Sequence, residues 1–288
     1  MNAIITCVND RRHISPLIFE CFKRLSNEFN DLALIVGYTS PEDGEMVERW
    51  ASEHPRVHPV GPIKNIAGLK FDTVLKYAYQ SVSNFDGFII MGDDNSISSD
   101  LFKTVTTCFG YNYLGTNVNA YLDLATMKAM KHEYKNPNKL IGAGRFISRE
   151  AIQNTCFETK IIFNRELHIA GQSYSGGMTL NMSNESADYL VAEKQAKIMH
   201  RDKWIGLWPH SAKTGLDHKS EIKLVSKDYI PISLNSQAIH VVDCKSYSNG
   251  KPTNIWPYSI LENKCTPITF EEATWFMNEA ELNILKHQ

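Results

Sequence analysis

The sequence predicts an α/β protein built on a mostly parallel sheet with covering helices. Three observations lead there. Short apolar runs alternate with amphipathic segments through the first hundred residues. The connections between them are brief. One apolar run, Phe88-Ile89-Ile90-Met91, stops abruptly at Asp93-Asp94-Asn95. Strand–helix alternation with connections this short is the pattern of a parallel sheet.

The elements follow in order. Ala3 to Val8 is a β-rich run that ends in Asn9-Asp10-Arg11. Ser15-Pro16 opens a helix, with proline at the first helical position and Leu17, Cys21, Phe22 and Leu25 on one face. Leu32 to Tyr38 is a second strand, Pro41 to Glu53 a polar helix with one exposed side, and Val57 to Val60 a short strand. Leu69 to Val82 is a helix that turns Val74, Leu75, Ala78 and Val82 inward, and Phe85 to Met91 is the strand before the acids. Beyond residue 100 the pattern loosens. Tyr113 to Tyr121 reads as strand. Leu122 to Tyr134 reads as helix, with Lys128, Lys131 and Lys135 on one face. Gly142 to Glu150 and Ser175 to Glu185 are glycine-centred segments that each lead into a helix, and Ala238 to Val242 is a strand. Thr269-Phe-Glu-Glu272 is a capping-box pattern opening a C-terminal helix with Trp275, Phe276, Leu282 and Leu285. No internal repeat or clear domain boundary appears. The expectation is one domain over 1–288, with a first half at 1–100, a second half at 101–245, and a C-terminal extension with a helix at 246–288.

Bulk numbers narrow the classes. With 288 residues and 43% hydrophobic content the chain has ample core, and a net charge of -2 argues against a general polyanion binder. No apolar stretch is long enough to span a bilayer, and no signal peptide is expected. The six cysteines are scattered without a CxxC pair, which argues against structural zinc and a redox motif and fits a cytoplasmic setting. Cys7 and Cys108 read as small buried hydrophobes.

Adjacent carboxylates at the C-terminal end of a strand lie where α/β proteins bind ligands. They repel, and both are costly to bury unpaired. A divalent cation relieves both problems, because Mg²⁺-type ions take one or two carboxylates together with substrate phosphate oxygens. The plainer alternative is a solvated turn that caps the next helix, with Ser99 or Asp100 as N-cap.

The order of motifs resembles the GT-A glycosyltransferases, with a C-terminal half similar to β-1,3-galactosyltransferase-like enzymes. Ser175-Gly176-Gly177, the strand Met178 to Met182, Ser183 and the helix at Ala187 to Leu190 look like the family's Ser-Gly-Gly-x-Gly-x-x-x-Ser segment. Asp202-Lys-Trp-Ile-Gly206, 25 residues after Gly177, resembles its Glu-Asp-x-x-x-Gly motif. Leu69-Lys70 resembles its Leu-Lys-Thr. The resemblance covers about residues 3 to 245. Three positions depart from it: Gly92 stands in place of the first acid, Arg201 in place of the Glu before Asp202, and the last glycine of the Ser-Gly-Gly segment is missing.

The resemblance implies a GT-A-like fold and a role for each matching residue. Asp94 aligns with the last acid of the metal motif and would bind Mn²⁺ or Mg²⁺, while Asp93 approaches donor ribose or sugar hydroxyls. Asn9, Asp10 and Arg11, with Thr6 nearby, would meet the base and ribose; an ordinary Asx turn is the equal alternative. Lys70 would reach the diphosphate as a point charge, or be an exposed lysine at a helix start. Gly176 and Gly177 would let backbone approach the donor sugar, or form a plain turn. Asp202 would be the general base, or an ion-pair partner of Arg201 or Lys203, or an N-cap. His240, inside Ala238-Ile-His-Val-Val242, is either a third metal ligand or a sheet residue, with His210 and His218 as weaker rivals. Arg145 and the three lysines are either a solvated flank or contacts to an anionic acceptor. Trp204, Trp208, Trp256 and Tyr258 stack on rings or pack in the core.

The function expected is transfer of a sugar from a nucleoside-diphosphate donor, UDP-sugar by default, to a hydroxyl, with inversion. The default acceptor is a saccharide; the alternative is a hydroxymethylated base in phage-type DNA. A sugar-phosphate nucleotidyltransferase would need a glycine-rich loop after the first strand, and Val8-Asn-Asp-Arg-Arg12 has none. A non-catalytic nucleotide-sugar-binding protein would tolerate loss of Asp94 or Asp202; both are present.

Overall fold

The computed structural model describes residues 1–81, 85–108, 110–124, 126–136, 139–169, 172–182, 184–212, 216–242, 247–248, 251–252 and 265–287, with backbone alone described at 184–185, 200–202, 217, 235–237, 240–242, 247–248 and 251–252. Val82, Ser183, Trp256 and Tyr258 lie outside the described residues, as do the side chains of Arg201, Asp202 and His240.

The N-terminal half forms as the alternation requires. Strands β1 (Asn2–Cys7), β2 (Leu32–Gly37), β3 (Val57–Val60) and β4 (Gly87–Ile90) alternate with helices α1 (Pro16–Glu28), α2 (Pro41–Glu53) and α3 (Ala67–Ser81). They pair in parallel in the order β3-β2-β1-β4. Period-two alternation splits their side chains between two cores. Ile4, Leu34, Val36 and Ile89 join Ile18, Phe22 and Trp50 of α1 and α2 on one face. Ala3, Ile5, Ile35 and Ile90 join Val74, Leu75 and Ala78 of α3 on the other. Full burial of a side chain such as Phe22 stabilises the fold by about 1.5–3 kcal/mol.

Beyond β4 the sheet becomes antiparallel. Next in the chain are β5 (Asn95–Ile97), α4 (Ser99–Thr107), β6 (Tyr113–Asp123), β7 (Lys128–Glu133), β8 (Arg145–Ser148) and α5 (Arg149–Cys156). The sheet continues β4-β8-β6-β7 through antiparallel pairs. A separate three-stranded sheet holds β9 (Phe157–Phe163) between β12 (Thr179–Met182) and β13 (Ala196–Trp204), with the hairpin of β10 (Leu167–Ile169) and β11 (Gln172–Tyr174) and helix α6 (Asn184–Ala192) nearby in sequence. It has its own core of Ile161, Phe163, Ala187, Leu190 and Ala196. After α7 (Leu216–Val225), β14 (Ile232–Val242) returns to the large sheet, parallel to β6 and antiparallel to β5. The ribbon β15 (Tyr247–Ser248) and β16 (Lys251–Pro252) follows; then β17 (Thr266–Ile268) adds an antiparallel strand beside β7, ahead of α8 (Phe270–Thr274) and α9 (Glu279–Lys286). Among the described residues no helix is long and apolar enough to cross a membrane.

Two expectations change. Residues 122–134 are not a helix but the end of β6, a turn and β7. Met127 turns the chain with φ 52°, and Thr126 donates to Asp123 Oδ2 at 2.7 Å to close the turn. The helix-like spacing of apolar residues there loses to pairing with β6, a tertiary effect that local periodicity does not report. Lys128, Lys131 and Lys135 therefore share no helical face, and Lys131 lies 3.9 Å from Glu133. The C-terminal helix is two helices. The Thr269 capping box forms, but its helix stops at Thr274, and a second capping box at Asn278 and Glu281 starts α9. Trp275, in the break, is 60% exposed.

Candidate functional site

The site is built at the C-terminal edge of the parallel strands. Gly92-Asp93-Asp94 follows β4 directly, and a Cβ on Gly92 would stand 2.7 Å from Asp94 Oδ1. Glycine lets the acids fold back tightly. Asn95 clasps the turn: its Oδ1 accepts from Gly92 N at 2.7 Å and its Nδ2 donates to Asp94 Oδ1 at 3.1 Å. The acids do not cap α4. Ser98 does, accepting from Leu101 N at 3.1 Å.

Both carboxylates are buried, and a guanidinium holds them. Arg11 Nη1 lies 2.8 Å from Asp94 Oδ2 and 3.2 Å from Asp93 Oδ1. Ser15 Oγ donates to Asp93 Oδ2 at 2.5 Å. Ser15 stands at the N-cap of α1 yet makes no side-chain cap bond; its hydroxyl is turned to the acid instead. The β1–α1 connector aims Arg11 inward. Asp10 adopts φ 51°, its N–H donates to Asp43 Oδ2 at 3.1 Å, and the Arg11 carbonyl accepts from Ile14 N and Ser15 N. Burial pushes the Asp93 carboxyl above its ordinary range; Arg11 opposes that, the Asp94 charge adds to it, and the Ser15 hydrogen bond and the Lys70 charge oppose it more weakly. Lys70 is 7% exposed, so its placement as an exposed lysine at a helix start is overturned. It faces the end of β1, where Cys7, its thiol pushed up to about 12 mainly by burial, also feels its charge.

Beside the acids, a set of oxygens has no partner among the described residues. Thr6 Oγ1, Asn9 Oδ1 and Thr39 Oγ1 are buried at the ends of β1 and β2 without a hydrogen bond. Buried polar groups are nearly always satisfied, so acceptors gathered at a sheet edge mark a place for a ligand's donors. Asn9, Asp10 and Arg11 thus divide: Asn9 lines the gap, Asp10 turns the chain, and Arg11 meets the acids. Thr39, Asp43 and Ser15 were missed from sequence. The available signal was Ser40-Pro41, which starts α2 at the end of β2 and brings Asp43 into its first turn, with Ser40 capping at 3.1 Å.

The other expected residues lie elsewhere. Gly176 and Gly177 form an exposed turn before β12, with Gly177 at φ 85° and donating to Phe163 O. That is the plain-turn alternative; no hydrogen bond or shared core cluster of the described residues joins it to the acid pair. Asp202 sits on β13, where the pairing with β9 slips between His200 and Lys203. His240 sits on β14, its backbone opposite Asn95, the residue after Asp94. Arg145 is 4% exposed and gives its guanidinium to Ile141 O, Leu140 O and the Tyr113 hydroxyl, so it braces the fold. Trp208 is buried, and Trp204 packs on Phe157.

A second buried carboxylate also escaped the sequence. Asp72 of α3 accepts from Trp204 Nε1 at 2.8 Å, Leu207 N at 2.7 Å and His210 Nε2 at 3.0 Å. Gly206, at φ 76°, has no room for a Cβ, which would run into the Asp72 carboxylate. This carboxylate ties the segment after β13 to the start of α3, where Gly68 N donates to Ala212 O.

No family model and no curated protein matches the sequence. Several solved structures are similar at low identity. The Pyrobaculum calidifontis mannosyltransferase PcManGT, solved with GDP-Man and Mn²⁺, is 12% identical with a TM-score of 0.44, over 85% of this chain and 58% of that one. Residues 1–349 of S. aureus TarS are 8% identical with a TM-score of 0.47, over 84% and 60%. The Mycobacterium tuberculosis glucosyl-3-phosphoglycerate synthase, solved with Mn²⁺, UDP and glucosyl-3-phosphoglycerate, is 13% identical with a TM-score of 0.35, over 55% and 60%. The chain spans about three-fifths of the length of each.

Proposed function

We propose that this protein is a GT-A-type glycosyltransferase that moves a sugar from a nucleoside-diphosphate donor, UDP-sugar by default, to a saccharide hydroxyl. One observation carries the reading: buried Asp93 and Asp94 stand at the end of β4 beside the partnerless oxygens of Thr6, Asn9 and Thr39 at the ends of β1 and β2. That combination offers acceptors for a nucleoside and charge for its diphosphate at one sheet edge. Lys70, buried beside Asp93, supplies a fixed positive charge toward the phosphates.

The acid pair fits a hard divalent cation in its chemistry, since both ligands are carboxylates on one short turn. Asp94 would hold Mn²⁺ or Mg²⁺ with Asp93, and His240 on the neighbouring strand would complete the set. Such an ion, when bound, neutralises charge on the departing diphosphate. Asp202 is proposed to take the acceptor proton, which gives a single displacement with inversion. A concavity of about 360 Å³ lined by Glu158, Lys160, Asn181 and Lys203 lies on the β9–β13 sheet beside it. Mixed charges and an amide suit hydroxyl groups better than a polyanion. With Arg145 bracing the fold and Lys131 beside Glu133, the described residues of the 128–149 segment offer no continuous basic face for duplex DNA.

Calorimetry with UDP-, GDP- and CMP-sugars, with and without Mn²⁺, tests the reading. One class is expected to bind and to be slowly hydrolysed, and Asp94→Ala should weaken that binding at least several-fold. Absence of binding by every class, or wild-type affinity in Asp94→Ala, overturns it.

A further inference from the structure

We infer that Arg11 is an internal counter-ion that makes cation binding and nucleoside-diphosphate binding depend on each other. The inference rests on the transferase reading for its nucleotide partner, but its metal half stands on the acid pair alone.

The argument is one of charge. Asp93 and Asp94 have side chains 8% and 6% exposed, and Arg11, 12% exposed, bridges both. Lys70 is close by and buried. Among the described residues, two carboxylates therefore meet two cationic side chains, and the cluster is balanced when both acids are ionised. The four carboxylate oxygens all receive donors: Arg11 and Ser15 at Asp93, Arg11 and Asn95 at Asp94. A divalent cation entering alone would add charge to a balanced, poorly solvated cluster and would have to take oxygens from Arg11. Burying uncompensated charge is costly, so that step is unfavourable. A diphosphate arriving with the cation reverses the balance. It brings negative charge of similar size and gives the displaced guanidinium a new partner, because arginine forms paired hydrogen bonds to phosphate oxygens as readily as to carboxylates. Each ligand then raises the affinity for the other by the same factor, as linkage requires. Arg11 is thus a positioning residue whose side chain exchanges carboxylate for phosphate.

Removing the Arg11 charge should uncouple the two ligands. Mn²⁺ binding, followed by electron paramagnetic resonance and calorimetry, is measured with and without UDP or GDP on wild type and Arg11→Met. In wild type, Mn²⁺ alone is expected to bind weakly, and the nucleotide to tighten it at least tenfold. In Arg11→Met, Mn²⁺ alone should bind at least tenfold tighter than in wild type, and the nucleotide's added effect should shrink. Arg11→Gln, which keeps a hydrogen-bond donor without the charge, should behave the same way. In thermal melts Mn²⁺ alone should raise the midpoint of either variant more than that of wild type. Mn²⁺ binding no tighter in both variants than in wild type, or undiminished coupling to nucleotide, overturns the inference. If neither nucleotide binds wild type while the variants still gain Mn²⁺ affinity, the transferase reading falls and the counter-ion role of Arg11 stands.

Discussion

Two largely buried arginines lie on and just before α1, and they are not equivalent. Arg24, within the helix, meets one carboxylate: its Nε lies 2.7 Å from Glu281 Oε2, and its Nη2 donates to Ile97 O at 2.7 Å. Glu281 is fully buried, and Ser96 Oγ donates to its other oxygen at 2.6 Å. Charge is matched one to one, with neutral donors filling the remainder. Arg11, just before the helix, meets two carboxylates and depends on Lys70 for balance. The first cluster is closed and serves to fasten the C-terminal helix to α1. The second has two acids on one turn, an arginine on a connector and open acceptors alongside. Burial alone does not distinguish a brace from a site; the count of charges and the presence of unfilled partners does.

The comparison breaks most visibly at the brace. Glu281→Ala should leave Arg24 buried without its carboxylate, at a cost of about 3–5 kcal/mol. Calorimetric melting should show a drop of about 2–4 °C per kcal/mol for a domain of this size. A loss under about 1 kcal/mol would mean that the pair fastens nothing. Arg11→Met should destabilise as well, but Mn²⁺ should restore part of its melting temperature and restore none of that of Glu281→Ala. Equal rescue of both would erase the distinction between the clusters.

Asp72 offers an intermediate case, a lone carboxylate held by three donors. Asp72→Asn should cost about 1–3 kcal/mol and shift the emission of Trp204, because the indole N–H loses a charged acceptor. Unchanged emission would show that the indole bond is not maintained. The acid pair makes a pH-dependent prediction. Asp93 has a raised pKa, chiefly from burial, so in the folded state its ionised form is disfavoured. Stability should fall as pH rises from the ordinary carboxylate value of 3.8 through the raised folded value, then level off. Asp93→Asn, which cannot ionise, should lose that fall, so the gap in melting temperature should move in the variant's favour as pH rises from about 4. A gap that widens in acid would reverse the assignment. The smallest effect belongs to the basic segment. Lys131→Glu with Lys135→Glu should change stability by within about 0.5 kcal/mol. It should also leave no salt-sensitive binding to duplex DNA to be lost; a gel shift that disappears in the double variant would bring the DNA acceptor back.

Much of this was legible in the sequence. Helices α1 and α2 and strands β1 to β4 follow from apolar periodicity and from Ser-Pro starts, because their local preferences agree with their tertiary roles. The acid pair was legible because an apolar run ending in two acids has few other uses. Its partner was not. Arg11 reads as part of an Asx turn until the left-handed Asp10 turns its side chain inward. The 122–134 segment misled because Lys128, Lys131 and Lys135 fall at helix-like intervals, while the pairing that makes β7 a strand comes from β6 and from Thr266–Ile268, more than a hundred residues on. Asp72 was hidden for the same reason. A mid-helix aspartate looks like a solvated side chain until the segment 204–210 folds over it.

The closed cluster at Arg24 has a consequence for the order in which the chain can mature. Its carboxylate is 257 residues away in sequence, and the same contact reaches Ser96 and Ile97, one to two residues beyond the Asp94-Asn95 clasp. During synthesis the parallel strands and both acids emerge long before residue 281. Until Glu281 arrives, Arg24 lies under β5 with no matching carboxylate, and the floor beneath the acid turn is unsealed. A ribosome-bound chain stalled short of α9 is therefore expected to be digested by protease within 92–99, and one extended past it to resist. Final assembly of the acid turn thus waits on α9.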